Sequence, residues 1–320
     1  MSSLRSAVTH LVAAFALLAL ASAHGAYPLT VNHAQGGLTL NEVPKRVAVF
    51  DLATLDTLDA LGVSAAGVPR MAGPEYLKDA YAGREAVNVG TLFEPDYAAL
   101  EALRPDLIII AGRSNGAYAK LAQLAPTLDL SIAPDAFVAG VRQNLRLLGD
   151  IFDRQARAAR LDAELQQALA ATHEKNQGLA TLTLFTVNDA LMVHAPGERF
   201  GMLAEVLGTT SVAPPVDPAS LPQGRPAPGS PEAMQLRDRH KARLAAALQA
   251  EPDWLVILDR GAATGGEGKA AQTLAAHPGI AASTAWTEGR VFYLDPATWY
   301  IATGGYQGLM KTLEDFAAAQ

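Results

Sequence analysis

Apolar residues in this chain follow two rhythms. Short unbroken runs, Val47–Phe50, Leu107–Ile110 and Leu255–Leu258, alternate with longer stretches in which apolar positions recur every three or four residues. The runs read as strands buried on both faces and the stretches as helices, the signature of α/β lobes built on parallel sheets. In the first half, Leu52–Leu61 predicts a helix stopped by Gly62. Ala86–Val89 predicts a short extended run ending at Gly90, and Tyr97–Leu103 a helix broken at Arg104-Pro105-Asp106 before the Leu107–Ile110 strand. The second half repeats that last unit, with a helix over Leu244–Ala250, a break at Glu251-Pro252-Asp253, and a strand over Leu255–Leu258. An arginine follows each strand, Arg113 eight residues after Pro105 and Arg260 eight after Pro252. Open α/β sheets bind ligands beyond the carboxyl ends of their strands, so both arginines are candidate ligand residues.

Between the halves, Phe137, Val141, Leu145, Leu148 and Phe152 mark one face of an amphipathic helix, and the pattern continues through Leu165 and Leu169. Asp135 is placed to cap it after Pro134. The expectation is a stiff connecting helix over 135–177, between an N-terminal lobe (24–134) and a C-terminal lobe (178–320). A break near Gly149 into two ordinary helices is the alternative. The proline-rich segment 213–231 reads as a surface loop, an insertion in preference to a lid. At the N-terminus, Arg5, the apolar run Leu11–Ala21 and the small residues Ala21-Ser22-Ala23 describe a secretory signal peptide over 1–23. The run is too short to span a bilayer, so a soluble mature chain beginning near His24 in a bacterial periplasm is expected.

Composition narrows the chemistry. With 25 Lys+Arg against 32 Asp+Glu, a net charge of −7 and no basic run, nucleic acid is not an expected partner. The absence of cysteine excludes disulfides, thiol catalysis, cysteine-ligated metals and a lipid anchor on an N-terminal cysteine. Scattered histidines argue against a zinc site. No nucleophile elbow, His-Glu-x-x-His or phosphate-binding Gly-x-x-x-x-Gly-Lys-Ser/Thr is present, and Gly265-Gly266-Glu267-Gly268-Lys269 only imitates the last. An enzyme on a bilobed frame is therefore the weaker reading.

Several motifs, in order along the chain, carry a family resemblance. They are Val89–Tyr97 running into Leu103–Arg113, Ala125-Pro126-Thr127, Gly197-Glu198-Arg199-Phe200-Gly201, and Asp295–Ala302 with its Trp299-Tyr300 pair. Together they resemble bacterial periplasmic binding proteins for iron(III)–siderophores, the catecholate group in particular. The resemblance implies two Rossmann-like α/β lobes joined by a single long backbone helix. It also implies an arginine trio at Arg113, Arg199 and Arg260 facing an anionic ferric siderophore. No permanent cofactor is implied, Fe(III) arriving inside the ligand. For chelates that leave iron positions open, the family's tyrosine ligand matches Tyr300, with Trp299 beside the ligand. The family's histidine has no clean match: His240 stands nearest, without the usual following glycine, and His194 is a second candidate. A monomer serving an ABC importer is implied, yet the family's docking glutamates fall on Ala98 and Ala245. Glu94, Glu101, Glu205 or Glu251 would have to substitute. Haem, a corrinoid or another metal chelate is the alternative ligand.

Overall fold

A computed structural model describes residues 27–82, 86–187, 189–217 and 226–320. The expected signal peptide lies outside the described residues, as does the middle of the proline-rich segment, 218–225.

The chain opens with an antiparallel hairpin, β1 (Leu29–His33) and β2 (Gly36–Leu40). The N-terminal sheet follows, from β3 (Val47–Val49), β4 (Gly67–Val68), β5 (Val87–Asn88), β6 (Leu107–Ile110) and β7 (Thr127–Asp129). Its strands are all parallel, in the order β5-β4-β3-β6-β7. The C-terminal sheet comprises β8 (Ala180–Val187), β9 (Ala190–Val193), β10 (Thr210–Ser211), β11 (Trp254–Asp259) and β12 (Val291–Tyr293). Its parallel path is β10-β8-β11-β12, and β9 lies antiparallel on β8. The strands predicted from apolar runs are the buried central ones, β3, β6 and β11; every residue of Leu107–Ile110 is buried.

Local chemistry sets the helix bounds. Asp51 caps α1 (Leu52–Leu61) by accepting from the Thr54 N–H, and Gly62, at φ 73°, ends it in the left-handed conformation. Asp96 caps α2 (Tyr97–Leu103) in the same way. The repeated breaker is a repeated geometry: Arg104 (φ 50°) and Glu251 (φ 48°) both take left-handed backbone directly before their prolines. The chain thus leaves a helix, cannot resume it through proline, and enters the next strand.

The connecting segment departs from the single helix expected over 135–177 and follows the alternative of a break near Gly149. It is two helices, α3 (Phe137–Ile151) and α4 (Gln155–Lys175), reversed at Phe152-Asp153-Arg154 with Asp153 at φ 54°. Gly149 sits at the corner, where a Cβ would come within 2.4 Å of the Ala158 Cβ, so its lack of a side chain lets the helices close on each other. Asp162 of α4 binds Arg142 at 2.6 Å and Arg146 at 3.0 Å across the pair. The α4 helix, about 31 Å long at 1.5 Å per residue, touches both lobes. Arg157 near its start donates to the Ala60 carbonyl of α1, and Asn176 just past its end donates to the Leu207 carbonyl at 2.6 Å. Leu207 closes α5 (Leu203–Leu207) in the C-terminal lobe.

A second tie comes from the last helix, α9, reached after α6 (Pro231–Gln249), α7 (Arg260–Ala263) and α8 (Pro296–Tyr300). Phe316 of α9 (Tyr306–Ala319) packs edge-on against Trp254 of β11 and Phe292 of β12, 5.2 and 5.0 Å between ring centres. The N-terminus of α9 docks on the other lobe. Its cap position is Gly305, which has no side chain to offer, and Asp56 of α1 supplies the carboxylate instead. Asp56 accepts from the backbone N–H groups of Gln307 (2.7 Å) and Gly308 (3.0 Å) and from the Tyr76 hydroxyl (2.7 Å). One apolar core runs beneath both lobes, from Val49 and Leu58 through Leu148 and Leu165 to Val206, Trp299 and Phe316.

Relative lobe motion is the default where an interface is small and polar, but this one is apolar and tied at two helices. Ligand binding should therefore change the radius of gyration by less than about 1 Å, well short of hinge closure by a domain. Small-angle scattering with and without ligand checks this, and a large compaction would contradict the double tie.

Candidate functional site

Between the lobes lies a cavity of about 250 Å³ bordered by Asp51, Arg113, Ser131, Asn144, Arg199 and Tyr300, among others. It opens at the carboxyl ends of the strands. Arg113 follows β6 in the loop Gly112-Arg113-Ser114, which is fixed by the buried Ser114 hydroxyl bonding to the carbonyls of Phe50 (3.1 Å) and Ala111 (2.9 Å). Arg260 follows β11 as the first residue of α7, whose turn is held by Asp259 accepting from the N–H groups of Gly261 and Ala262. Arg199 occupies the tight turn after β9. There the Ala195 N–H donates to Glu198, and a Cβ on Gly201 would lie 1.7 Å from the Ala195 carbonyl. That contact requires a glycine at 201.

All three arginines converge on Tyr300, at the end of α8. Their guanidinium carbons stand 4.8 Å (Arg113), 5.2 Å (Arg199) and 5.9 Å (Arg260) from its ring centre. Arg260 Nε donates to the Tyr300 hydroxyl at 3.1 Å, and Arg113 Nη2 reaches across the cleft to the Tyr300 carbonyl. None of the three is in an ion pair among the described residues. Partial burial would raise the phenol's pKa, but the hydrogen bond from Arg260 and the charges of Arg260, Arg113 and Arg199 outweigh it and leave the pKa below its ordinary value. Desolvation, then the neighbouring charge of Arg113, lowers the Arg199 pKa. Uncompensated like charges are held together here, an arrangement that an anion relieves.

An aromatic wall backs the tyrosine. Phe185 stacks on Tyr300 at 5.9 Å with planes 16° apart, and Phe200 lies 6.4 Å away under the Arg199 guanidinium. Trp299 does not join it. Although adjacent in sequence, Trp299 is 2% exposed, packs against Phe137, and donates from Nε1 to Thr312 at 2.8 Å. On a helix, neighbours in sequence point about 100° apart, so α8 sends Tyr300 to the cleft and Trp299 to the core.

The two histidines form a group of their own. His194 lies edge-on to Phe200 and Phe185 and does not border the cavity. Neither of its ring nitrogens has a hydrogen-bond partner, and burial lowers its pKa to about 4, so the ring is neutral at pH 7. His240, on α6, is near enough to influence His194, and its own pKa is lowered by burial and by Arg243. Beside them Arg243 pairs with Glu198 at 2.5 Å. Among the described residues, neither ring is in hydrogen bond or ring contact with Tyr300.

Two parts of the site lay outside the sequence reading. Phe185 looks like any strand residue. Asp51 reads as a helix cap, although it follows β3 as Arg113 follows β6, and that parallel was the available signal. The four glutamates Glu94, Glu101, Glu205 and Glu251 are all exposed, as are Ala98 and Ala245.

Known proteins resemble this chain along most of its length. The petrobactin-binding protein YclQ of Bacillus subtilis is 27% identical over 293 residues, 90% of this chain and 86% of YclQ. The ferric-anguibactin-binding protein FatB of Vibrio anguillarum is also 27% identical, over 90% of this chain and 86% of FatB. The siderophore-binding protein BauB, solved with two acinetobactin molecules and ferric iron, superposes with a TM-score of 0.77 at 25% identity, covering 91% of this chain and 98% of BauB. The family profile described as periplasmic binding protein matches residues 47–298, most of both lobes. The chain belongs to the periplasmic binding protein family.

Proposed function

We propose that this protein captures an anionic ferric siderophore, of the catecholate class, in the periplasm and delivers it to an inner-membrane ABC importer. One observation carries the reading: three arginines from both lobes, none in an ion pair among the described residues, surround one tyrosine whose phenol they make more acidic. Guanidinium groups are permanently charged planar donors suited to catecholate oxygens. The phenolate of Tyr300 is a hard donor suited to Fe(III), so a chelate that leaves coordination positions open can take it as a ligand. His240, and after it His194, are the candidates for a nitrogen donor. Iron comes and goes with the cargo, and the binding event includes no chemical transformation. Docking through some of Glu94, Glu101, Glu205 and Glu251, as a monomer, completes the proposal.

Iron spectroscopy tests it. A tetradentate ferric bis-catecholate should gain a tyrosinate-to-iron charge-transfer band on binding, absent in Tyr300→Phe. A hexadentate complex has no vacant position, and its spectrum should be the same in both proteins. His240→Ala and His194→Ala, compared on the same two complexes, identify the nitrogen donor. Identical behaviour of all variants on both complexes would eliminate direct ligation.

A further inference from the structure

Beside Arg113 the cavity lining changes chemistry. Asp51, Ser131 and Asn144 line this part, and most of its hydrogen-bond donors are engaged within the protein. The Thr54 N–H and hydroxyl both donate to Asp51 Oδ2 at 2.8 Å. The Ser131 hydroxyl bonds to Asp129, the Thr57 hydroxyl to the Ala53 carbonyl at 3.1 Å, and Asn144 Nδ2 to the Leu130 carbonyl at 3.0 Å. What remains for a ligand is acceptor capacity on the Asp51 carboxylate, and on Asn144 the Oδ1 acceptor with one amide N–H. The nearest cation to influence Asp51 is Arg113, but that guanidinium gives its hydrogen bond to the Tyr300 carbonyl.

A carboxylate inside an anion site is costly unless the ligand has something for it, because like charge and lost hydration both act against binding. Helix capping alone does not explain it. Serine or asparagine would cap α1 as well as aspartate without setting a negative charge in the cleft. Burial also holds the Asp51 pKa above the usual carboxylate range, against the bonds from Thr54 and Ala53 and the charge of Arg113.

We propose that Asp51, with Asn144, selects among ferric siderophores those whose linker carries an N–H donor, best a protonated amine, while the chelate oxygens face the arginines. The cleft is thus two-ended, and its preferred cargo is zwitterionic. This inference rests on the siderophore-binding reading above and adds the ligand's charge pattern to it.

Two synthetic ferric bis-catecholates of equal linker length test it, one with a secondary amine at mid-linker and one with a methylene there. Calorimetry should give wild-type protein about tenfold or greater preference for the amine complex, the scale of one charge-assisted hydrogen bond. Asp51→Asn keeps a competent cap and removes the charge. It should lose that preference by binding the amine complex more weakly and the methylene complex as well as before or better. Asp51→Ser, also a good cap, provides the same comparison if the asparagine variant does not fold. Equal wild-type affinity for the two complexes, or a preference kept in both variants, would overturn the role of Asp51 and leave siderophore binding standing. Binding of neither complex would overturn both.

Discussion

Arg113→Ala and Arg260→Ala should each weaken binding of an anionic ferric catecholate by about 1–3 kcal/mol, and the double variant by about 2–5 kcal/mol, or roughly 30- to several-thousand-fold. Each guanidinium gives the ligand a charge-assisted donor, and the two act from opposite lobes through one ring, so their effects should not be strictly additive. A second consequence follows from Tyr300. Arg260 holds its hydroxyl and Arg113 its carbonyl, so removing either lets the phenol pKa climb back and makes the tyrosinate harder to form. Neutral chelates should lose much less than anionic ones, and raising ionic strength should narrow the gap. Lysine at either position should restore part of the charge effect but not the planar contact with the tyrosine ring. Calorimetry on anionic and neutral complexes at two salt concentrations is the measurement. Unchanged affinity in both alanine variants would remove the arginines from the site.

The other large effect concerns stability. Asp56 is fully buried and accepts from three donors, two of them the first free N–H groups of a helix that begins in the other lobe. Asp56→Ala strands those donors, and the expected loss is about 3–5 kcal/mol, with Tm lower by roughly 5–10 °C. Burial pushes the Asp56 pKa up to about 6, against the lowering effect of Tyr76, Gln307 and Gly308. Asp59 adds a small push in the same direction. The folded state therefore binds this proton more tightly than the unfolded chain. From pH 4 to 6 the folded protein holds more protons than the unfolded one, so this group makes stability fall as pH rises through that window, by about 3 kcal/mol at most, and stay level above it. Asp56→Asn does not titrate and should lack that slope. Melting curves of the two proteins from pH 4 to 7 separate the cases, and parallel profiles would refute the assignment.

The parts of the molecule that could be read in advance are those where one residue type answers one physical demand. Leu107–Ile110 and Leu255–Leu258 announced central strands because a strand covered on both faces has no polar position. The Pro-Asp breaker and the arginine after each strand marked the two loops whose arginines meet over Tyr300. The reversal at Phe152–Arg154 was legible only as the alternative of a break near Gly149, for a definite reason. The α3 and α4 helices face the same core, so the apolar spacing passes from one to the other without interruption, and the turn is made by Asp153, whose type does not demand a positive φ. Two-residue strands such as β4 and β10 carry too few positions to show a period. Trp299 was misplaced because a motif carries no rotation angle, and Asp56 was missed because its partners are some 250 residues away.

The double tie between the lobes also bears on how occupancy can be sensed. A frame that scarcely folds around its cargo gives an observer almost the same outline empty or full. What should change is the electric potential at the cleft mouth. Three guanidinium groups in no ion pair among the described residues project a positive field through the opening, and an anionic chelate cancels it. Loaded and empty molecules should thus separate more readily by ion exchange than by size, and a receptor that tells them apart would do so by charge at the rim.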